Sequence, residues 1–215
     1  MLHTFKGVIF DMDGLMLDTE PVYWKSMQQA AAELGYNIDD QLQNRLVGRS
    51  ISDWRTTLMQ TFGKDYPQFR NRRRHIWEQH IQQIGVAQKS GLVELLDQLD
   101  EDTLLKGIAT SSSRVDALLC LGQLARRFDA IVTRDEVEQD KPAPDIFLLT
   151  AQRLALSTEQ CLVLEDSESG AQAALDAGIS VIIVPDLEQP SSTLAAQVHR
   201  VCSSLHEVRA LFRVT

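Results

Sequence analysis

Two aspartates, Asp11 and Asp13, lie two residues apart at the end of the apolar run Gly7 to Phe10, and Gly14 follows at once. In an extended segment alternate side chains point the same way, so both carboxylates would address one site, while Gly14 permits a turn that a side chain would hinder. A polar strand-to-loop exit would explain the same residues. Three later clusters narrow the choice. Thr110-Ser111-Ser112-Ser113 offers hydroxyls and turn amides that suit the oxygens of a phosphate, or equally a helix N-cap. Asp140-Lys141-Pro142-Ala143-Pro144-Asp145 sets a lysine between rigid prolines, where it would neutralise phosphate and aspartate charge unless it is simply solvated. Glu165-Asp166, after Leu162, Val163 and Leu164, suits a hard oxygen-seeking cation such as magnesium; an acidic loop is the plainer reading.

These clusters need elements to hold them. Apolar runs recur at Gly7 to Phe10, Lys106 to Thr110, Ala130 to Thr133, Cys161 to Leu164 and Ser180 to Val184, each short and bounded by polar or turn residues, as buried parallel strands are. Between them apolar residues fall at helical spacing, for example Val93, Leu96 and Leu99. The alternation predicts an α/β, doubly wound, Rossmann-like parallel sheet, with Asp11, Ser111, Lys141 and Asp166 reaching the ligand-binding edge in order. One connection breaks the rhythm: about ninety residues separate the first two runs, where a crossover helix needs only about a dozen. Helical spacing over Val22 to Leu34, Asp39 to Val47, Ser52 to Phe62 and Pro67 to Ile84 predicts a small inserted helical domain at 17–88, with the core at 1–16 and 89–215. Ser52 and Asp53 are candidate N-terminal capping residues and Gly35 a C-terminal stop.

Bulk composition sets the remaining bounds. The 215 residues are 44% hydrophobic and 24% charged, values of a globular chain that buries a core. A net charge of -9 argues against a nucleic-acid polymer as partner. Cys120, Cys161 and Cys202 are odd in number and lack metal-ligand spacing, so they read as free thiols in a reducing compartment. With no run of membrane-spanning length and no leader-like start, the expectation is a cytoplasmic protein that does not engage a membrane.

The four motifs together resemble the haloacid dehalogenase superfamily, in the branch of phosphatases with a helical cap that includes beta-phosphoglucomutase-like proteins. The likeness spans essentially the whole chain, extends to Gly170 and Asp176-Ala177-Gly178, and is most specific in Asp11 to Gly14 and in Lys141 to Phe147. It implies that Asp11 is the nucleophile, forming an acyl phosphate, and that Asp13 is the general acid and then the base. It implies magnesium held by Asp11, Asp166 and the Asp13 backbone carbonyl, with Glu165 a ligand or just outside, and Ser111 and Lys141 on the phosphoryl group. Gly48 and Arg49 in the cap, and Ser112 and Ser113 in the core, are the expected substrate contacts. A closing motion hinged near Leu15 to Asp18 and Gly85 to Gly91 would exclude water.

The substrate is expected to be a small phosphate monoester, a sugar phosphate before a nucleotide, and the protein a monomer. The stretch from Arg45 to His75 carries Arg45, Arg49, Arg55, Lys64, Arg70, Arg72, Arg73 and Arg74 against Asp53 and Asp65. Such charge would attract phosphorylated substrates, although Arg70 to Arg74 read better as a solvated helix face. Mutases of the family carry a histidine where Tyr23 stands here, which favours a phosphatase over a sugar phosphate mutase. Tyr23 and Trp24 read as helix core rather than ligand stacking. A phospho-receiver module joins similar residues, but in another order and in half the length; a catalytically silent binding protein on the same fold is the other rival.

Overall fold

The computed structural model describes residues 2–38, 42 and 51–213. Met1–Asp18 with Ala87–Thr215 forms one compact unit and Thr19–Val86 a second. The sequence had placed the divisions two residues away in each case, at 16/17 and 88/89.

The first unit is built on β1 (Gly7–Phe10), β2 (Leu105–Thr110), β3 (Ala130–Thr133), β4 (Cys161–Glu165), β5 (Ser180–Ile183) and the two-residue β6 (Arg200–Val201). All neighbours pair in parallel, in the order β3-β2-β1-β4-β5-β6. This is the α/β doubly wound sheet expected; the first five strands start and stop within a residue of the apolar runs, and β6 was not foreseen. Every residue of β1 and β4 is buried, which explains why these strands read as continuous apolar runs rather than alternating ones. Ile9, Ala109, Val132, Val163 and Val181 share one core with Ile146 and Phe147 and with Ala171, Ala173 and Ala174. Val8 and Phe10 alternate to the opposite face and are equally buried.

The second unit contains α1 (Glu20–Glu33), α2 (Ile51–Phe62) and α3 (Tyr66–Ile84). Trp24, Met27, Ala30, Leu58, Phe62, Phe69 and Ile76 form its core. Gly35, at φ +79°, ends α1: its amide returns to Ala32 and that of Tyr36 to Ala31. The expected helix from Asp39 to Val47 lies outside the described residues apart from Leu42. Because α2 already begins at Ile51, Ser52 and Asp53 fall within its first turn instead of preceding it. Three arginines of α3 find partners inside this unit. Arg72 grips Glu33, Arg74 lies 2.5 Å from Glu78, and the Arg73 guanidinium sits 4.4 Å from the centre of the Tyr23 ring.

The chain leaves the first unit and returns to it at one place. Leu17 bridges Gln88 in antiparallel fashion, the Asp18 amide donates to the Ala87 carbonyl at 2.8 Å, and the Lys89 amide donates to Met16 at 2.8 Å. The first unit continues with α4 (Leu92–Glu101), α5 (Arg114–Leu121), α6 (Asp145–Arg153), α7 (Glu168–Asp176), α8 (Ser192–Ala195) and α9 (Leu205–Phe212). All three cysteines are free and buried. Among the described residues no helix is long and apolar enough to cross a membrane.

Candidate active site

The strand order reverses between β1 and β4, and at such a switch point the loops beyond the two strands part and leave a crevice. Asp11 follows β1 there; its amide still donates to Leu164 at 2.9 Å, so the sheet holds its backbone. The chain then turns sharply, with the Gly14 amide on the Leu17 carbonyl and the Leu17 amide on Met12. Gly14 sits at φ +86°, and a Cβ on it would lie 2.2 Å from Asp166 Oδ2. Glycine is needed twice over, for the backbone conformation and for the approach of Asp166.

Lys141 is the centre of the site. Its Nζ donates to Asp11 Oδ1 at 2.5 Å, to Glu165 Oε1 at 2.7 Å and to the Ala109 carbonyl at 3.0 Å, which uses all three ammonium protons. It also stands 5.0 Å from the centre of the Phe147 ring, and the peptide from Lys141 to Pro142 is cis. Burial alone would lower its pKa, but the charges of Asp11 and Glu165 outweigh this and hold it above the ordinary lysine value. Glu165 is wholly buried, and its second oxygen accepts from the amides of Asp166 and Ser167 and from the Ser167 hydroxyl, all within 3.0 Å. Its carboxylate occupies the space left by Gly170, where a Cβ would lie 1.7 Å from Oε1. Both Glu165 oxygens are therefore spent on protein groups, so of the two positions considered for it the geometry favours the one just outside a cation's ligands.

Asp13 is held differently. Its Oδ2 accepts from the Ser112 hydroxyl at 2.9 Å and the Thr110 hydroxyl at 3.3 Å. Ser111 donates to Asp140 Oδ1 at 2.7 Å, the oxygen that also accepts the Lys141 amide. Ser113 caps α5 by accepting from the Asp116 amide. Thus Ser112 bonds a carboxylate and Ser113 caps a helix; the contact with substrate expected of both would come in addition to these roles. Gly48 and Arg49 lie outside the described residues. Sequence reasoning gave no role to Asp140, although it precedes Lys141 directly, nor to Asp186, whose signal was its place just beyond the fifth strand.

Burial pushes the Asp11 carboxyl up to about 8, with the negative charges of Glu165 and Asp13 adding to the rise and Lys141 opposing it. Burial also raises Asp166 well above the carboxylate range, reinforced by Glu165, Asp11 and Asp186 against Lys141. Two carboxylates, Asp11 and Glu165, thus share one buried ammonium with the charges of Asp13 and Asp166 close by, and a divalent cation among these oxygens would favour the ionised forms of Asp11 and Asp166. Among the described residues no group of three acidic, histidine or cysteine side chains is placed to hold a metal ion. Asp11 and Asp166 offer hard carboxylate oxygens, of which magnesium takes one or two while keeping several waters. The donor set fits such an ion.

The sequence profile of the haloacid dehalogenase-like hydrolases matches residues 8–184. The chain belongs to that family. It is 32% identical over 196 residues to a phosphorylated carbohydrates phosphatase of Thermotoga maritima, covering 89% of this chain and 91% of that one. With the fructose-1-phosphate phosphatase YqaB of Escherichia coli it shares 31% identity over 185 residues, or 86% of this chain and 98% of the relative. Among solved structures, a Thermotoga maritima protein provisionally assigned as a beta-phosphoglucomutase superposes with a TM-score of 0.85 at 28% identity, covering 97% of this chain and 99% of the other. This haloacid dehalogenase-like hydrolase is a phosphatase by class, as its named relatives are, and Asp11 to Gly14 and Glu165 to Gly170 both lie within the matched span.

Proposed function

We propose that the protein is a magnesium-dependent phosphatase of small phosphate monoesters, sugar phosphates foremost, acting through a phospho-aspartate on Asp11. The observation that carries this reading is the unequal treatment of two neighbouring carboxylates. Asp11 is bound to a permanently charged lysine, as a nucleophile beside an anionic substrate requires, while Asp13 is held by hydroxyls, as a group that exchanges protons requires. The names of the two curated relatives support the substrate class.

In the first step an Asp11 oxygen attacks phosphorus, the bond from phosphorus to the ester oxygen breaks, and Asp13 delivers its proton to the departing alkoxide. In the second, Asp13 takes a proton from water as that water attacks phosphorus; the bond to Asp11 breaks and inorganic phosphate leaves. Lys141 lowers the repulsion between nucleophile and phosphoryl group, and Glu165 fixes Lys141 where it acts. Ser111, beside Lys141, would turn its hydroxyl from Asp140 to a phosphoryl oxygen. Asp11, Asp166 and the Asp13 carbonyl would hold magnesium, which would screen the charge gathering on the phosphoryl oxygens. Tyr23, at the place of the mutase histidine, packs against the helical core under Arg73, which favours hydrolysis over isomerisation. The reading is of a cytoplasmic monomer whose partner is a phosphorylated small molecule rather than a nucleic acid or a membrane.

The test is phosphate release from sugar phosphates, nucleotides and an aryl phosphate, with and without magnesium, for wild type and Asp11→Asn. Magnesium-dependent release that Asp11→Asn abolishes supports the proposal. Interconversion of sugar phosphate isomers without release would replace it by a mutase, and neither activity would leave a binding protein.

A further inference from the structure

Three charged residues outside the proposed reaction meet beside the cation ligands. Lys89 Nζ donates to Asp186 Oδ1 at 2.6 Å and to Asp18 Oδ1 at 3.0 Å. Asp186 follows β5 at the same sheet edge as Asp166. Its other oxygen, Oδ2, lies 3.4 Å from the point where a Gly14 side chain would begin, the point that Asp166 Oδ2 approaches to 2.2 Å. One oxygen of Asp186 is therefore pinned by Lys89 while the other faces Asp166 across the turn carrying Asp13. Lys89 is anchored to that turn in its own right, through its amide on Met16.

We infer that Asp186 is a positioning residue of the proposed cation site, accepting from the waters a magnesium ion retains, and that Lys89 fixes it there. The inference rests on the magnesium-dependent reading above. A structural clamp between the two chain crossings would need only Lys89 and Asp18; the second carboxylate is the more buried of the pair, at 19% side-chain exposure against 40%, and it faces the site. Two carboxylates on one ammonium leave a negative charge beside Asp166, which attracts a cation and is wasteful in a mere staple. Outer groups of this kind typically contribute about 10–100-fold in metal affinity.

The experiment is calorimetric titration of metal-free protein with magnesium chloride for wild type, Asp186→Asn and Asp18→Asn, with melting temperatures alongside. The expected result is about tenfold weaker magnesium binding in Asp186→Asn and a change within about twofold in Asp18→Asn. Excess magnesium should restore the kcat of Asp186→Asn, a rescue that a damaged fold would not show. Magnesium affinity unchanged in Asp186→Asn, or weakened equally by both substitutions, would overturn the inference and leave the phosphatase reading standing. Absence of magnesium binding by the wild type would overturn both.

Discussion

Replacing Gly170 by alanine tests the arrangement around Lys141 from behind. In an ordinary helix interior this change stabilises by about 1 kcal/mol, because alanine loses less backbone freedom on folding. Here the new Cβ would fall 1.7 Å from Glu165 Oε1, 2.0 Å from Cδ and 2.5 Å from Oε2, all too close, against a carboxylate whose four hydrogen-bond partners fix it on both sides. Glu165 must swing away, which breaks its pairing with Lys141 and leaves buried charge uncompensated. Disrupting a buried pair costs about 3–5 kcal/mol, so after the helix gain a net loss of about 2–4 kcal/mol is expected. Lys141 would then shift toward Asp11, and a displacement of about 1 Å at such a centre lowers kcat on the order of a hundredfold. Urea unfolding and steady-state phosphate release measure the two effects, with the exposed neighbour Ser169→Ala as a control expected within about 0.5 kcal/mol of wild type. If Gly170→Ala is as stable as wild type and turns over within twofold of it, Glu165 does not hold Lys141 as described.

Gly14→Ala should lower stability by at least about 1–2 kcal/mol from its positive φ alone and should also weaken magnesium binding, because the methyl strikes Asp166; unfolding curves and titration with magnesium report the two separately. Asp13→Asn should leave magnesium affinity within a few fold, since its carbonyl is retained, yet cut kcat by about 10²–10⁴-fold in a phosphate-release assay. Hydrogen bonding to Lys106, with Arg127 assisting against the opposing cost of burial, holds the Asp100 carboxyl below its usual 3.8. Its contribution is therefore present above that value and lost as pH falls through the lowered one; melting temperature should drop less steeply with acid in Asp100→Asn than in wild type.

The strands were legible because β1, β2, β4 and β5 are buried almost throughout, which forces apolar runs that stop where the site begins. β6 was not, since two residues with an exposed arginine leave no pattern. Lys141 and Asp11 could be paired from sequence because strand ends converge at one sheet edge. What escaped was the division of labour among oxygens. Nothing in Thr110 to Ser113 says that two hydroxyls serve Asp13, one Asp140 and one a helix end, because strand twist and turn geometry decide it. Glu165 and Asp166 are adjacent and chemically alike, yet Gly170 makes room for one of them to point inward.

The paired crossing at Leu17 and Gln88 makes residues 19–86 exchangeable. Their ends leave from neighbouring positions that the first unit already holds by hydrogen bonds, so different insertions of different length can be spliced there without asking the sheet to rearrange or to close a longer loop. Evolution can therefore exchange this stretch as one cassette while the acid, lysine and hydroxyl set stays fixed. A protein engineer has the same seam to cut along, between Asp18 and Ala87.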